Sequence, residues 1–341
     1  MRDFISSPIT ALVEMDSKWY PSPRHPLRNS AVKSNPILSK RVASLDIGTN
    51  TILLLIAEVE GKRLIPLLDT ETIVRLGEGL QKTQLLSEEA MQRGLQTLAQ
   101  YLSQCQRMGV EKIFAIGTNP LREAKNSKNF LEMVKERVDL SIEVISEEEE
   151  AQLSFLSVAK DLKEIDHSIY VIDVGGGSTE FILGKGGQMD QWVSLPLGSV
   201  RFTEQFLHSD PINEREWDEM EKKIEDLLAE IPLPKNPFTL VAVGGTATTL
   251  ASVELGLKEF KSEKIHHFEF SRDALERQLS LYRSKTTLKR GEIPGLPAAR
   301  ADVIPAGGAI LYKAMEYIGC DSVTINCHGV RYGLLYKMLH L

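Results

Sequence analysis

Two short segments each place an aspartate ahead of small and hydroxylated residues, Asp46-Ile-Gly-Thr-Asn-Thr and Asp173-Val-Gly-Gly-Gly-Ser-Thr. Glycine lets the backbone aim successive N–H groups at one point, and hydroxyls add donors, so such turns make concave anion sites. Phosphate is the natural occupant. An aspartate beside phosphate oxygens is costly unless a divalent cation lies between them, which makes Asp46 and Asp173 candidate metal-side carboxylates. A lone Asp-x-Gly more often marks a plain β-hairpin. Two related copies and a third glycine turn, Gly244-Gly245-Thr246, favour phosphate, with Gly48, Thr49, Asn50, Gly175, Gly176, Gly177, Ser178 and Thr179 supplying the other donors.

Other charged residues fall near these turns. In the run Glu147 to Glu150, Ser146 as N-cap and Glu149 three residues on form a capping box, and acids in a first turn suit the helix dipole. That accounts for up to three glutamates and leaves Glu150. Glu180 follows the second turn and alternates with Thr179, so the two face opposite ways; it is either a solvated strand edge or part of a site. Arg122, after Thr118-Asn-Pro-Leu, sits at an expected helix start, where the dipole disfavours a cation, and its planar fork suits phosphate. Arg75, Arg201, Arg300, Lys289 and Arg290 read as solvated or structural.

The elements that must position these residues follow from periodicity. Short apolar runs bounded by turn residues make strands on either side of both Asp turns. Ser87 caps a helix presenting Ala90, Met91, Leu95, Leu98 and Leu102 on one face. Strands alternate with helices, so the fold class is α/β, and the repeated strand-Asp-turn-strand arrangement implies a duplicated lobe. Residues 1–40, with five prolines and no sustained periodicity, read as a flexible extension. Residues 41–165 form lobe I and 166–341 lobe II, with the C-terminal segment packing back on lobe I.

This pattern resembles the actin-like ATPase superfamily, in which two ribonuclease H-like lobes close on an interlobe cleft. SLDIGTNTILLLIAEV, AIGTNPLREAKN, ISEEEEAQLSF, VIDVGGGSTEFILG, SLPLGSVRFTEQF, VGGTATTLAS and RADVIPAGGAILYKAM are similar to successive motifs of the Ppx/GppA phosphatases, which are exopolyphosphatases and guanosine pentaphosphate phosphohydrolases. The resemblance runs from about Val42 to Tyr336, in the short, two-lobe form. It implies Glu150 as the base that activates water, Glu180 as a cleft carboxylate holding Mg2+ with Asp46 and Asp173, Arg122 as the catalytic cation, and a homodimer. It also makes Arg331, in GVRYG, a phosphate-binding candidate. Asn326-Cys327-His328 departs from the family pattern; His328 and the His266-His267 pair read as incidental, with no metal-ligand spacing.

The implied reaction is Mg2+-dependent release of terminal phosphate from inorganic polyphosphate. Rivals are guanosine pentaphosphate hydrolysis, an actin-like sugar or acetate kinase, and a non-catalytic polyphosphate or alarmone sensor. A net charge of -7 argues against a general polyanion or nucleic-acid binder, so an anionic substrate requires a confined positive cleft. Three cysteines without metal or disulfide spacing, apolar runs far short of the ~20 residues of a membrane span, and no secretory signal predict a cytoplasmic protein without a membrane partner.

Overall fold

The computed structural model describes residues 40–341, and apart from Lys40 the expected N-terminal extension lies outside the described residues. The first sheet contains β1 (Lys40–Ile47), β2 (Thr51–Glu60), β3 (Arg63–Ile73), β4 (Lys112–Gly117) and β5 (Glu143–Val144), in the order β3-β2-β1-β4-β5. The second contains β6 (Ser168–Val174), β7 (Thr179–Lys185), β8 (Gln188–Leu195), β9 (Phe238–Val243), β10 (Glu269–Ser271) and β11 (Ser322–Ile325), in the order β10-β11-β9-β6-β7-β8. In both sheets the first three strands form an antiparallel meander and the next joins the opening strand in parallel. This is the ribonuclease H-like arrangement, present twice.

The register puts the two aspartates at equivalent places. Asp46 lies beside Ile116 of β4 and Asp173 beside Val243 of β9, each one residue from the end of its strand. Asp173 also pairs directly across from Glu180 on β7. Two carboxylates opposite one another repel, so sheet stability alone does not account for the pair.

Two helices cross between the halves. The Glu147–Asp161 helix belongs to the first half in sequence, but Ala151, Phe155 and Val158 pack on Val171, Ile182 and Val243 of the second sheet. The C-terminal Val330–Leu339 helix lays Val330, Leu334 and Leu335 on Val42, Leu55 and Ile116 of the first. Burying an aliphatic side chain contributes about 1.5–3 kcal/mol, so these contacts are substantial. The Ser87-capped helix forms as expected over Glu88–Arg107, with Ala90, Met91 and Leu98 in the first lobe's core.

The halves are closed against each other. Arg75 makes two bonds to Asp302 at 2.7 and 2.8 Å, Arg300 makes two to Glu71 at 2.9 Å, and Arg201 reaches Glu123 at 2.6 Å. Among the described residues, no helix is long and apolar enough to cross a membrane.

Candidate active site

The first turn, between β1 and β2, is tied by Gly48 N–H to the Thr51 carbonyl at 3.0 Å, and the second by Gly175 N–H to the Ser178 carbonyl at 3.0 Å. The glycine pattern predicts that both amides face phosphate; both instead close their own hairpins. The hydroxyls of Thr179 and Thr246 are likewise engaged inside the fold, by the Leu197 and Val174 carbonyls. The third glycine segment is the first turn of a helix, Gly244–Glu254, rather than a free loop. Its leading amides lack intrahelical acceptors and concentrate the positive end of the dipole. Gly244 has φ +87°, and a Cβ there would lie 2.6 Å from Asp173 Oδ1. Only glycine permits both the conformation and the approach.

The two turns touch. A Cβ on Gly176 would stand 2.9 Å from Thr49 Cβ, and one on Gly177 would overlap the Asn119 side chain. The expected cleft is therefore closed at the turns. The first turn of the Ser199–Phe206 helix fixes the second turn: Ser199, Val200 and Arg201 donate backbone N–H groups to Gly175 and Gly176 carbonyls, and Arg201 Nε reaches the Gly177 carbonyl at 2.7 Å.

Behind the turns, Asp46, Glu150, Asp173 and Glu180 converge. Burial pushes the Asp46 carboxyl up to about 7, with Glu150 and Asp173 adding repulsion. Glu150 also stands at about 7, raised chiefly by burial and held down by Arg122. Asp173 is raised by burial against the hydrogen bond from Ser154, and Glu180 well above the ordinary value by burial and by Glu150 and Asp173. Ser154 Oγ donates to Asp173 at 2.8 Å and Ser194 Oγ to Glu180 at 2.9 Å. Asp46 Oδ1 is buried without a hydrogen-bond partner. An unsatisfied buried carboxylate oxygen suits a hard divalent cation, although these four carboxylates do not bring three ligand atoms within 4.8 Å of one another.

Glu149 and Glu150 separate cleanly. Glu149 completes the capping box with Ser146 and reaches Lys337 at 3.4 Å. Glu150 faces the carboxylate cluster and accepts from Arg122 Nη1 at 2.7 Å. Arg122 lies in the last turn of the short Asn119–Glu123 helix, not at a helix start. Its Nη1 also donates to the Ile145 carbonyl, while Nη2 is buried without a partner, as are both amide atoms of Asn50.

Arg331 does not present an open fork to phosphate. Its Nε and Nη2 bind Asp69 at 2.7 and 2.8 Å, and Nη2 also reaches the Cys327 carbonyl. Its charge still acts on Asp46 and Asp173, lowering both. A positive cleft was expected, but Arg75, Arg122, Arg201, Arg300 and Arg331 are each paired with a carboxylate, around an acidic centre. Sequence reasoning missed Ser154 and Asp69. Ser154 stands four residues after Glu150 on one helix, a spacing that places both on the same face; nothing local marks Asp69.

Two ribonuclease H-like lobes meeting at paired Asp-glycine turns define a protein of the actin-like ATPase fold. The chain belongs to the Ppx/GppA phosphatase family, whose model matches residues 55–341. A bifunctional 3-dehydroquinate synthase/phosphatase of Fusobacterium nucleatum is 34% identical over 296 residues, covering 83% of this chain and 44% of that protein. The chain thus spans less than half of that relative's length. The crystal structure of the Aquifex aeolicus Ppx/GppA family member is 32% identical, with a TM-score of 0.75 over 88% of this chain and 98% of that one. An exopolyphosphatase from Cytophaga hutchinsonii gives 27% identity and a TM-score of 0.80 over the same shares, 88% and 98%.

Proposed function

We propose that the protein hydrolyses a terminal phosphoanhydride bond, with inorganic polyphosphate as substrate, releasing orthophosphate. The observation that carries this reading is Glu150, held by Arg122 at 2.7 Å and facing Asp46, Asp173 and Glu180 behind the two turns. Glu150 takes the proton from the attacking water, and Arg122 Nη2 meets the charge of the transferring group. Thr49, Asn50, Gly176, Gly177 and Ser178 line the oxygens, with Gly244, Gly245 and Thr246 offering helix N-terminal amides. Asp46, Asp173 and Glu180 would hold Mg2+, which supplies charge neutralisation between carboxylates and phosphate. Phosphoryl transfer is mostly positioning and electrostatics, so no covalent nucleophile is required. Entry of a chain requires the turns to part, which breaks the Arg75–Asp302 and Arg201–Glu123 pairs.

The test is phosphate release by purified protein from polyphosphate, guanosine pentaphosphate and ATP in Mg2+, with Glu150→Gln alongside. Loss of the base should lower kcat by roughly 10²- to 10⁴-fold. A fully active Glu150→Gln enzyme would remove the base assignment, and a kcat/KM favouring guanosine pentaphosphate would reassign the substrate.

A further inference from the structure

Outside the cleft, residues far apart in sequence converge at the C-terminal end of the Glu147–Asp161 helix. Asp161 is its last residue, His266 precedes β10, and His328 lies in the atypical segment between β11 and the terminal helix. His266 Nε2 is 3.3 Å from Asp161 Oδ1 and His328 Nδ1 is 3.9 Å from the same oxygen. The three ligand atoms all lie within 4.8 Å of one another. No sequence spacing marks them as a set, yet the fold brings them together.

We infer that Asp161, His266 and His328 form a second metal site, for a transition-metal dication of the Zn2+ or Co2+ kind, separate from the carboxylate cluster. Four observations support it. Metal-ligand bonds of about 2.0–2.2 Å in a tetrahedral site place ligand atoms roughly 3.3–3.6 Å apart, so the 3.3 Å His266–Asp161 pair already fits and the 3.9 Å His328–Asp161 pair must close by a few tenths of an ångström. His328 Nδ1 is buried with no hydrogen-bond partner, an orphan aimed at Asp161. The other carboxylate oxygen of Asp161 is already oriented, by His267 Nε2 at 2.6 Å and Asn326 Nδ2 at 2.8 Å, as outer hydrogen bonds commonly orient metal ligands. A helix C-terminus also favours a cation.

The donor set selects the metal. Two imidazoles and one carboxylate suit Zn2+, Co2+ or Ni2+, whereas Mg2+ and Ca2+ prefer all-oxygen sites. Two contacts must give way: the Cys327 N–H donated to His266 Nδ1 at 3.2 Å, which leaves the proton on Nε2, and the hydrogen bond from that Nε2–H to Asp161 Oδ1 at 3.3 Å. Binding through Nε2 moves that proton by way of solvent to Nδ1, which then no longer accepts, so the Cys327 amide turns away. Nearby Arg331 is neutralised by Asp69. The site would clamp the catalytic helix to both β10 and the segment leading into the terminal helix.

The test uses the full chain, stripped with chelator and returned to millimolar Mg2+ so that oxygen sites stay filled. It is then titrated with Zn2+ by calorimetry and with Co2+ by visible absorption. Wild type should take up one equivalent of either ion with imidazole-type Co2+ bands and a raised melting temperature. His266→Gln and His328→Gln should each bind at least about tenfold more weakly. Their metal-free circular dichroism and melting temperature report folding, and Asp161→Asn replaces either variant that does not fold. No uptake by wild type, or uptake by the variants as tight as wild type, overturns the site.

Discussion

Neutralising Asp46 should stabilise the metal-free protein at alkaline pH while disabling the site. The folded carboxyl stands at about 7 against an ordinary 3.8, so the native state holds the proton more tightly than the unfolded one. Stability from this group is complete below pH ~4 and is lost as pH rises through about 7. The shift is about three pH units, each worth ~1.4 kcal/mol, so charging Asp46 costs the fold about 4 kcal/mol. Asp46→Asn removes that cost and the repulsion with Glu150 and Asp173. Allowing for rearrangement among the remaining carboxylates, the gain at pH 8 in chelator should be about 2–4 kcal/mol, or roughly 3–6 °C in melting temperature for a body of this size. At pH 4 the carboxyl is protonated in wild type and the two proteins should melt together. Thermal denaturation of both at the two pH values, with activity in Mg2+ measured in parallel, is the assay. A melting temperature for Asp46→Asn that does not rise at pH 8, or rises equally at pH 4, refutes the account of a repulsive buried cluster.

Two more substitutions probe the geometry. Gly244→Ala forces a side chain into φ +87°, at about 1–2 kcal/mol for the backbone, and against Asp173 Oδ1; its urea midpoint should fall, and an unchanged midpoint would mean the segment has room. Ser154→Ala removes the 2.8 Å bond that lowers Asp173, and hydrogen bonds to charged groups are worth about 1.5–3 kcal/mol. Its kcat/KM should fall by roughly 10- to 100-fold, with the acid limb of the pH profile moving upward; a uniform fall at every pH would place Ser154 elsewhere in the reaction.

What sequence revealed was what neighbouring residues dictate. The Asp turns, the capping box and the Ser87-capped helix were legible because a turn or cap is decided by residues within four positions of each other. Glycine composition announces a turn but not which amides it uses, so the sequence alone does not show that Gly48 and Gly175 each close their own hairpin. Arg331 and Asp69 are 262 positions apart, and Asp161 and Asn326 165. Pairings at such separations depend on strand order and helix docking, which periodicity does not encode. The same applies to the Glu147–Asp161 helix: its capping box marks where it starts, but nothing local marks the sheet that receives it.

That exchange of helices bears on how the chain assembles. Ser44 of β1 donates its hydroxyl to the backbone of Arg331, 287 positions away, and the apolar cover beside it comes from the final helix. During synthesis the opening sheet therefore emerges with one face unfinished and stays so until the Val330–Leu339 helix is made. A late closure of such a long loop adds little entropy cost per residue, but it delays folding and prolongs apolar exposure. The two repeated sheets thus belong to one compact unit, each completed by a piece of the other's stretch of chain.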